Sequence, residues 1–306
     1  MITADRPSPL ILCVGMPVRD LVLRIDTLPS PGRKIRASEF DQICGGNAPN
    51  AAVAIARLGG RVRLTGPVGE STADTQPVFA LLDREGIDLS HMVHVPGATT
   101  PVSSIMIDAA GERTVVTYRD PKLWNVILPE ADTLLDGVDA VLTESRCSDF
   151  VAPLCRQARR RGLPVVLDAD RVMTLDEEVL ALSTHVIFSA EALHATAGSD
   201  DFADALARIA GLTPAFLGVT RGADGVDWLD AQHRLQRVPS FPITPIDTLG
   251  AGDVFHGAFT LAIAEGQSIT RALRFGSAAA ALKCARFGSA FATPQRLEVE
   301  ALLADA

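Results

Sequence analysis

The sequence lacks the features that mark membrane proteins, secreted proteins and nucleic-acid-binding proteins. No uncharged apolar run approaches the ~18 residues that span a bilayer, and residues 1–16 contain an acid and prolines where a signal peptide has basic residues before an apolar core. The formal net charge is -9, and the longest run of basic residues is Arg159 to Arg161. We therefore expect a cytoplasmic globular protein whose partners are neither membranes nor nucleic acids.

Cysteines and aromatic residues are also sparse. The chain has five cysteines, at Cys13, Cys44, Cys147, Cys155 and Cys284. Their odd number, wide spacing and lack of a CxxC pair indicate reduced structural thiols and argue against a zinc site. Aromatic residues make up 5% of the chain, which leaves little for an aromatic clamp around a nucleobase, and residues 14–18 lack the GxGxxG turn of a dinucleotide-dependent oxidoreductase.

What the sequence does contain is an alternation of short apolar runs with amphipathic segments. The runs suit strands buried on both faces of a parallel sheet, and they cover residues 10–14, 62–65, 140–143, 164–167, 185–188 and 215–219. Apolar residues at helical spacing cover 47–58, 73–85, 150–161, 201–210, 252–265 and 268–286. This alternation predicts an α/β fold with a central, mostly parallel sheet, in a single domain over residues 1–306.

Two regions, residues 17–42 and 98–119, interrupt this alternation. Polar and apolar residues alternate there around turn residues such as Asp108 to Gly111, which is typical of paired strands. We expect a small accessory sheet, and one interpretation is a lid that excludes water from a reaction site. Two surface hairpins without mobility are the alternative.

The strongest local signal is DTLGAGDVFHGAF, from Asp247 to Phe259. A turn of small residues leads directly into an apolar helical segment, so the N–H groups of the first helical turn can bind an oxyanion with the help of the helix dipole. A carboxylate at Asp253 would repel a phosphate and is better explained as a base that takes a proton from an attacking hydroxyl. The alternative is that Asp253 only caps the helix.

Two further segments contain closely spaced glycines. Residues 45–59 read GGNAPNAAVAIARLG, where the glycines permit close approach of a ligand and the side-chain amides suit a polyol. An ordinary helix start with Asn47 as N-cap is the alternative. Residues 219–226 read VTRGADGV and follow a predicted buried strand, at the edge where α/β sheets bind ligands. An ordinary hairpin is the alternative there.

In this order and spacing, the three segments resemble the two signature motifs and the nucleotide loop of the PfkB carbohydrate kinase family, of the ribokinase type. The likeness extends over nearly the whole chain, and the DTxGAGD string at residues 247–253 is a specific signature. It implies a ribokinase-like three-layer fold and an ATP-dependent sugar kinase in which Mg²⁺ bridges the nucleotide phosphates. Activation by a monovalent cation occurs in the family, and the sequence leaves it open here.

The resemblance also implies roles for the matched residues. The general base would be Asp253, beside an anion hole formed by Gly250, Ala251 and Gly252. The nucleotide end would comprise Thr220, Gly222, Gly225, Asp247 and Lys283. Within that end, Asp247 would support the phosphate and metal region. Sugar hydroxyls would be bound by Asp20, Gly45, Gly46 and Asn47.

The sequence departs from the family at a motif associated with magnesium. Many members carry Asn-x-x-Glu, whereas residues 188–192 read FSAEA, which leaves Glu191 as the candidate metal-associated residue. Because Mg²⁺ keeps several waters and binds mainly through substrate phosphates, this departure need not abolish activity.

Within the family, the chain is most similar to ketohexokinases and 6-deoxy-6-sulfofructose kinases. This likeness depends on GERT at residues 111–114, DAD at 168–170, AGDVFHGA at 251–258 and ALKC at 281–284. In the sulfosugar enzymes a Lys, an Asn and an Arg bind the sulfonate. Lys34 and Arg146 stand at matching positions, and Thr117 stands at the Asn position. Two cations at one end of the substrate favour an anionic acceptor, whereas solvated charges or lid salt bridges are the alternative.

Other acceptors and one other class of function stay open. A neutral ketohexose, ribose, 2-keto-3-deoxygluconate or a nucleoside are alternative acceptors. A non-catalytic sugar or nucleotide sensor is the alternative class, although a base beside a phosphate site argues against it. His256, Trp124 and Trp228 are interpreted as packing residues. The edges of the accessory sheet are a candidate homodimer surface.

Overall fold

A nine-stranded sheet runs through the computed structural model, which describes residues 7–109 and 112–305, and a separate four-stranded sheet lies beside it. The strands, in chain order, are β1 (Leu10–Val14), β2 (Val18–Arg24), β3 (Glu39–Gly45), β4 (Arg61–Gly69), β5 (Asp88–Val95), β6 (Val102–Ile107), β7 (Arg113–Tyr118), β8 (Ala140–Glu144), β9 (Val165–Ala169), β10 (His185–Ser189), β11 (Phe216–Thr220), β12 (Val226–Leu229) and β13 (Leu235–Val238). The helices are α1 (Asn47–Arg57), α2 (Thr72–Arg84), α3 (Ala131–Leu134), α4 (Ser148–Arg160), α5 (Glu178–Leu182), α6 (Ala190–Ala197), α7 (Phe202–Ala210), α8 (Ala251–Ala264), α9 (Ile269–Cys284) and α10 (Arg296–Ala304).

The large sheet has the order β13-β12-β11-β10-β9-β8-β1-β4-β5. Its pairings from β11 to β5 are parallel, and β12 and β13 extend one edge as antiparallel strands. All six predicted apolar runs overlap strands of this sheet, and two of them, 164–167 and 215–219, begin one residue before the strand. The predicted α/β class with a mostly parallel sheet is therefore confirmed.

Helices cover both faces of this sheet. Successive residues of β1 alternate between two hydrophobic clusters, with Ile11 and Cys13 in one and Leu12 and Val14 in the other. The first cluster also contains buried residues of α1, α8, α9 and α10, and the second contains those of α4, α6 and α7. This is the three-layer arrangement that strands apolar on both faces require.

The smaller sheet, called here the accessory sheet, has the order β3-β2-β6-β7. The hairpins β2–β3 and β6–β7 are joined by parallel pairing of β2 with β6, so they form one sheet rather than two separate hairpins. Its strands fall within the two predicted regions, except that β3 extends to Gly45. Two residues of the predicted turn, Ala110 and Gly111, lie outside the described residues.

In the part of the chain that the structure describes, no helix combines the length and the apolar character that crossing a bilayer requires.

Candidate active site

The segment from Asp247 to Asp253 forms a tight turn, called here the phosphate-binding turn, that opens helix α8. Gly250 is the N-cap with a φ of 75°, a left-handed conformation that favours glycine. The first helical hydrogen bond runs from the Val254 N–H to the Gly250 carbonyl at 2.9 Å. The N–H groups of Gly252 and Asp253 come before this bond, at the open end of the helix. These groups and the helix dipole make a binding site for an oxyanion.

Asp253 is the third residue of α8, and its side chain does not cap the helix. The interpretation of Asp253 as an N-cap is therefore wrong. Its Oδ2 instead accepts a hydrogen bond from Asn50 Nδ2 at 2.7 Å. Burial, reinforced by the Asp168 carboxylate, raises the pKa of Asp253 well above its ordinary value. A carboxylate with a raised pKa is a stronger proton acceptor for a substrate hydroxyl.

The Asp247 carboxylate ties the phosphate-binding turn to two other segments. Oδ1 accepts the Leu249 N–H at 2.8 Å, and Oδ2 accepts the N–H groups of Gly288 at 3.2 Å and Ser289 at 3.0 Å. Burial alone would raise the pKa of Asp247, but the Ser289 and Leu249 N–H groups and the Lys283 ammonium outweigh it and lower the pKa. With its oxygens engaged by the protein, Asp247 is suited to supporting the turn and less suited to binding a ligand directly.

Lys283 approaches the same turn from the protein interior. Its side chain is fully buried, Nζ donates to the main-chain oxygen of Asp247 at 2.7 Å, and Nζ lies 3.2 Å from Asp247 Oδ2. This position does not fit the expected direct contact with a nucleotide, because the ammonium is enclosed by protein and does not line the neighbouring cavity.

That cavity, of about 620 Å³, lies between the β11–β12 loop and helices α8 and α9. Predicted nucleotide and phosphate residues line it together: Thr220, Gly222, Gly225, Ala251 and Gly252. The rest of the lining is mostly apolar and includes Phe241, Pro242, Ile243, Pro245, Ala280 and Ala281. An apolar cleft that ends at a helix N-terminus fits a nucleotide, with the base between apolar side chains and the phosphates at the turn.

An ion cluster around the buried Asp227, which the sequence reasoning missed, supports the loop of this cavity. β11 and β12 form an antiparallel hairpin, as the alternative interpretation stated, but the hairpin turn lines the cavity. Behind it, the buried Asp227 carboxylate accepts hydrogen bonds from Arg221 at 2.8 Å and from Arg237 at 2.6 and 2.9 Å. These two guanidinium groups overcome the effect of burial and lower the pKa of Asp227.

The predicted acceptor segment begins helix α1 with Gly46 as its N-cap, at a φ of 99°. Asn47 is the first helical residue, so the interpretation of Asn47 as N-cap is wrong. Its Nδ2 instead donates to Asp168 Oδ2 at 2.9 Å. A Cβ on Gly46 would lie 2.3 Å from the Met16 carbonyl oxygen, and one on Gly45 would lie 1.9 Å from Asp20 Oδ2. Glycine at position 45 therefore lets Asp20 lie directly against the backbone, and glycine at position 46 does the same for the Met16 carbonyl.

A row of polar side chains crosses the accessory sheet beside this segment. Asp20 on β2 is in register with Ser103 on β6, which is in register with Thr117 on β7. The Ser103 and Thr117 hydroxyl oxygens are 3.0 Å apart. Burial raises the pKa of Asp20 to about 6, while the Ser103 hydroxyl and the Arg119 guanidinium oppose this shift. Two of the predicted acceptor residues, Asp20 and Thr117, thus belong to one row.

The two predicted cations stand in different surroundings. Arg146 follows β8 and forms an ion pair with Asp170. Lys34 is exposed on the segment between β2 and β3. Arg119, which the sequence reasoning missed, follows β7. Its pKa is lowered first by burial and then by Arg146, against the effects of nearby Glu144, Asp170 and Asp20, so it belongs to the Arg146 cluster.

Two buried acids at strand ends lie near Arg146 and belong to the same group of charges. Glu144 ends β8 and accepts the Met16 N–H at 3.1 Å, and burial, followed by the Asp170 carboxylate, raises its pKa to about 7. Asp168 on β9 accepts the hydrogen bond from the Asn47 side chain, and its Oδ1 lies 3.6 Å from His256 Nε2. The sequence offered one signal for both, because each stands at the carboxyl end of a predicted buried strand, where α/β sheets bind ligands.

His256 and the two tryptophans have packing or bridging positions. His256 is buried on α8, with Nδ1 2.8 Å from the Gly252 carbonyl oxygen and Nε2 3.2 Å from that of Ile187. Trp228 packs against Phe216, and Trp124 packs against the second hydrophobic cluster. His256 therefore links the first turn of α8 to the central sheet.

The predicted metal-associated residue, Glu191, lies on the surface of the protein. Glu191 is the second residue of α6 and is exposed to solvent. Within residues 7–109 and 112–305, no group of three or more His, Cys, Asp and Glu side chains is arranged to hold a metal ion.

Comparison with known proteins gives consistent matches over nearly the whole chain. The pattern of the pfkB family carbohydrate kinases matches residues 8–296. The ribokinase of Bacillus subtilis is 31% identical over 296 residues, which cover 96% of this chain and 99% of that protein. A crystal structure of a proposed ribokinase from Agrobacterium tumefaciens has a TM-score of 0.91 at 35% identity and covers 97% of this chain and 98% of that one. The structure of Arabidopsis thaliana ribokinase complexed with ribose and ATP has a TM-score of 0.86 at 25% identity and covers 97% and 99%.

Proposed function

The chain belongs to the PfkB family of carbohydrate kinases, which are phosphotransferases with an alcohol group as acceptor, and we propose that it transfers the γ-phosphoryl group of ATP to a hydroxyl of a small sugar. The observation that carries the proposal is the position of Asp253. Asp253 directly follows Gly252 in the first turn of α8, and its carboxylate accepts a hydrogen bond from Asn50 at 2.7 Å. A base and an oxyanion site thus meet at one helix end.

The chemical step follows from this arrangement. The acceptor hydroxyl oxygen attacks the γ-phosphorus, Asp253 takes the hydroxyl proton, and the bond from the γ-phosphorus to the bridging oxygen breaks to release ADP. The N–H groups of Gly252 and Asp253 stabilise the negative charge on the transferred group. Asn50 donates to one oxygen of the Asp253 carboxylate, and the other oxygen would take the proton.

Mg²⁺ is proposed as the ion that accompanies the nucleotide. When bound, it would neutralise negative charge on the phosphates. The described residues provide no three-ligand cluster, so the ion would be held chiefly through the phosphates and water, and the exposed Glu191 is the candidate outer residue.

For the acceptor, we propose a ketose or an anionic ketose derivative such as 6-deoxy-6-sulfofructose. Support comes from Arg146 and Arg119 in one cluster beside the acceptor residues, with Lys34 on the adjoining segment. A cluster of guanidinium groups suits a sulfonate or phosphate. Ribose is the second candidate, because the similar proteins from B. subtilis and A. thaliana carry the name ribokinase. 2-Keto-3-deoxygluconate and a nucleoside are the remaining alternatives.

The accessory sheet is proposed to act as a lid and as a homodimer surface. Its buried alternate residues, such as Val18 and Ile105, face the body, whereas Phe40 and Val116 on the opposite face are 64% and 62% exposed. Apolar side chains on an exposed sheet face favour a second copy as partner. Light scattering should give a dimer mass for the wild type and a monomer mass for Val116→Glu, and a monomeric wild type would overturn the dimer.

The kinase proposal is tested by ATP turnover with Mg²⁺ against fructose, 6-deoxy-6-sulfofructose, fructose 6-phosphate, ribose, 2-keto-3-deoxygluconate and inosine. We expect turnover of one acceptor class and a decrease in kcat of about 10²- to 10⁴-fold for Asp253→Asn. Asp204→Asn is a matched control, because Asp204 is the exposed third residue of α7. ADP binding without turnover of any acceptor would favour the sensor alternative.

A further inference from the structure

Lysine is rare in this chain, and one of its lysines is buried at the phosphate-binding turn. The sequence has three lysines, Lys34, Lys122 and Lys283, among 28 basic residues, so arginine supplies nearly all of the positive charge. The Lys283 side chain has no solvent exposure. Enclosing an ammonium in protein is costly unless nearby oxygens compensate it. The oxygens around Lys283 should therefore be the groups that its charge stabilises.

Two such oxygens belong to the first residue of the turn. Nζ lies 2.7 Å from the Asp247 carbonyl oxygen and 3.2 Å from Asp247 Oδ2. The carbonyl of Cys284, the residue after Lys283, accepts hydrogen bonds from the N–H groups of Ile246 at 2.7 Å and Asp247 at 3.1 Å. The end of α9 therefore fixes both the backbone and the side chain of the residue that starts the turn.

The effect extends from Asp247 to the anion-binding residues. The same Oδ2 that faces the ammonium accepts the N–H groups of Gly288 and Ser289, and Oδ1 accepts that of Leu249. A Cβ on Gly250 would lie 3.2 Å from Ser289 Oγ and 3.4 Å from the Ala290 nitrogen, so the segment after Gly288 packs directly on the N-cap of α8. One cation thus stabilises a carboxylate that joins three segments around the oxyanion site.

We infer that the Lys283 ammonium is a built-in monovalent cation of the phosphate-binding turn, which positions the Gly252 and Asp253 N–H groups and makes a dissociable monovalent ion unnecessary. The inference rests on the proposed function of this turn as the phosphate site. A lysine suits the role better than an arginine, because an ammonium is a compact point charge that several oxygens can surround, whereas a guanidinium is planar and larger. Lys283 is a positioning residue, since it acts through Asp247 and not on the substrate.

The test compares cations in the wild type and in Lys283→Ala. ADP affinity is measured by calorimetry, and ATP turnover by a coupled assay, with K⁺, NH₄⁺ or tetramethylammonium as the only monovalent cation. We expect the wild type to change by less than about twofold among the three ions, and Lys283→Ala to lose about 10- to 100-fold in tetramethylammonium and to recover most of this loss in K⁺ or NH₄⁺. Tetramethylammonium is too large to enter the space that the side chain vacates.

Two controls separate a charge effect from a packing effect. Lys283→Met keeps most of the side-chain volume without the charge, so it should show the loss but little rescue, because no space is left for an ion. A thermal melt checks that each variant folds. A defect in Lys283→Ala that no small cation relieves, or a wild type that itself requires K⁺ for nucleotide binding, would overturn the inference. The wild-type comparison holds even if a variant fails to fold.

The readouts also distinguish this inference from the proposed function. ADP binding needs no acceptor, so the expected cation pattern in calorimetry would support the inference even if no sugar were phosphorylated. Turnover of a sugar by a wild type that depends strongly on K⁺ would support the kinase and overturn the role of Lys283.

Discussion

The two ends of the candidate site differ in how completely the protein satisfies their polar groups. At the phosphate-binding turn, the Asp247 carboxylate already has N–H and ammonium partners from three segments. At the acceptor end, Asn50 Oδ1 and Arg146 Nε are buried without a hydrogen-bond partner among residues 7–109 and 112–305. An unpaired buried polar atom costs about 1–3 kcal/mol, which an acceptor that supplies the missing partner would recover. The Asp247 carboxylate is thus fully engaged by the protein, whereas these two acceptor-end atoms would gain a partner from a bound acceptor.

The same contrast appears in the supporting elements. The turn is held by α8 and α9, which pack on each other in the first hydrophobic cluster. The acceptor residues come from β2, the segment after it, β3, α1, β7 and the segment after β8. We expect changes at the turn to affect every acceptor alike and changes at the acceptor end to discriminate among acceptors, and five substitutions test this difference.

The largest effect is expected for Asp247→Asn. It leaves the buried Lys283 ammonium without its carboxylate, and breaking a buried charge pair costs about 3–5 kcal/mol. Urea denaturation should show this loss, and turnover should fall by a similar factor for every acceptor. Asp230→Asn is the matched control, because Asp230 also accepts N–H groups within a turn, at Gln232 and Arg234, but belongs to the β12–β13 hairpin. A loss confined to one acceptor would contradict the comparison.

The next effect is expected for Gly46→Ala at the acceptor end. The residue has a φ of 99°, and the added Cβ would lie 2.3 Å from the Met16 carbonyl oxygen. Gly59→Ala is the control, because Gly59 has a φ of 93° but the Cβ would meet no atom within 4 Å. Gly46→Ala should reduce the free energy of unfolding by about 1–3 kcal/mol more than Gly59→Ala and should raise the acceptor KM. Equal losses would mean that the contact with Met16 relaxes freely.

A smaller, pH-dependent effect is expected for Asp20→Asn. Burial raises the pKa of Asp20 from 3.8 to about 6, so between these values the folded state binds more protons than the unfolded state. Stability contributed by this group is therefore present below about pH 4 and lost as the pH rises through about 6, by about 3 kcal/mol in total. Denaturation from pH 4 to 7 should show a flatter profile for Asp20→Asn than for the wild type. The exposed Asp41→Asn should retain the wild-type profile.

The smallest effects are expected for Arg146→Gln and Lys34→Gln. If the acceptor is anionic, Arg146→Gln should raise the KM for 6-deoxy-6-sulfofructose about tenfold, and the exposed Lys34→Gln should raise it only about twofold. Fructose serves as the internal control, because a neutral acceptor should show little change in either variant. Equal changes for both sugars would indicate that Arg146 acts through its ion pair with Asp170 alone.

The sequence predicted the body of the fold because strands buried on both faces have a continuous apolar signal. It missed β5, whose alternating burial resembles a surface segment, and β13, which has only four residues. Helix α6 has eight residues and a weak apolar pattern. Short edge elements acquire their structure from pairing with neighbours, which a local pattern does not contain.

For the site, sequence reasoning succeeded where function lies in one contiguous segment. Gly250, Ala251, Gly252 and Asp253 occupy one helix start, as the motif indicated. Asp227, Glu144 and Arg119 were missed, and Lys283 was given a direct role that its burial does not fit. Lys283 and Asp247 are 36 residues apart, and Asn50 and Asp253 are 203 apart. Such contacts depend on tertiary packing, so only the folded chain reveals them.

The sequence separation between Asp247 and its hydrogen-bond partners also has a consequence for folding during translation. The groups that complete the turn follow it by 36 to 42 residues, at Lys283, Gly288 and Ser289. On the ribosome, the nascent chain therefore emerges with its signature motif before it has the partners that fix the shape of that motif. We expect nucleotide affinity to be among the last properties that translation confers, so that a stalled chain lacking these residues would not sequester ATP.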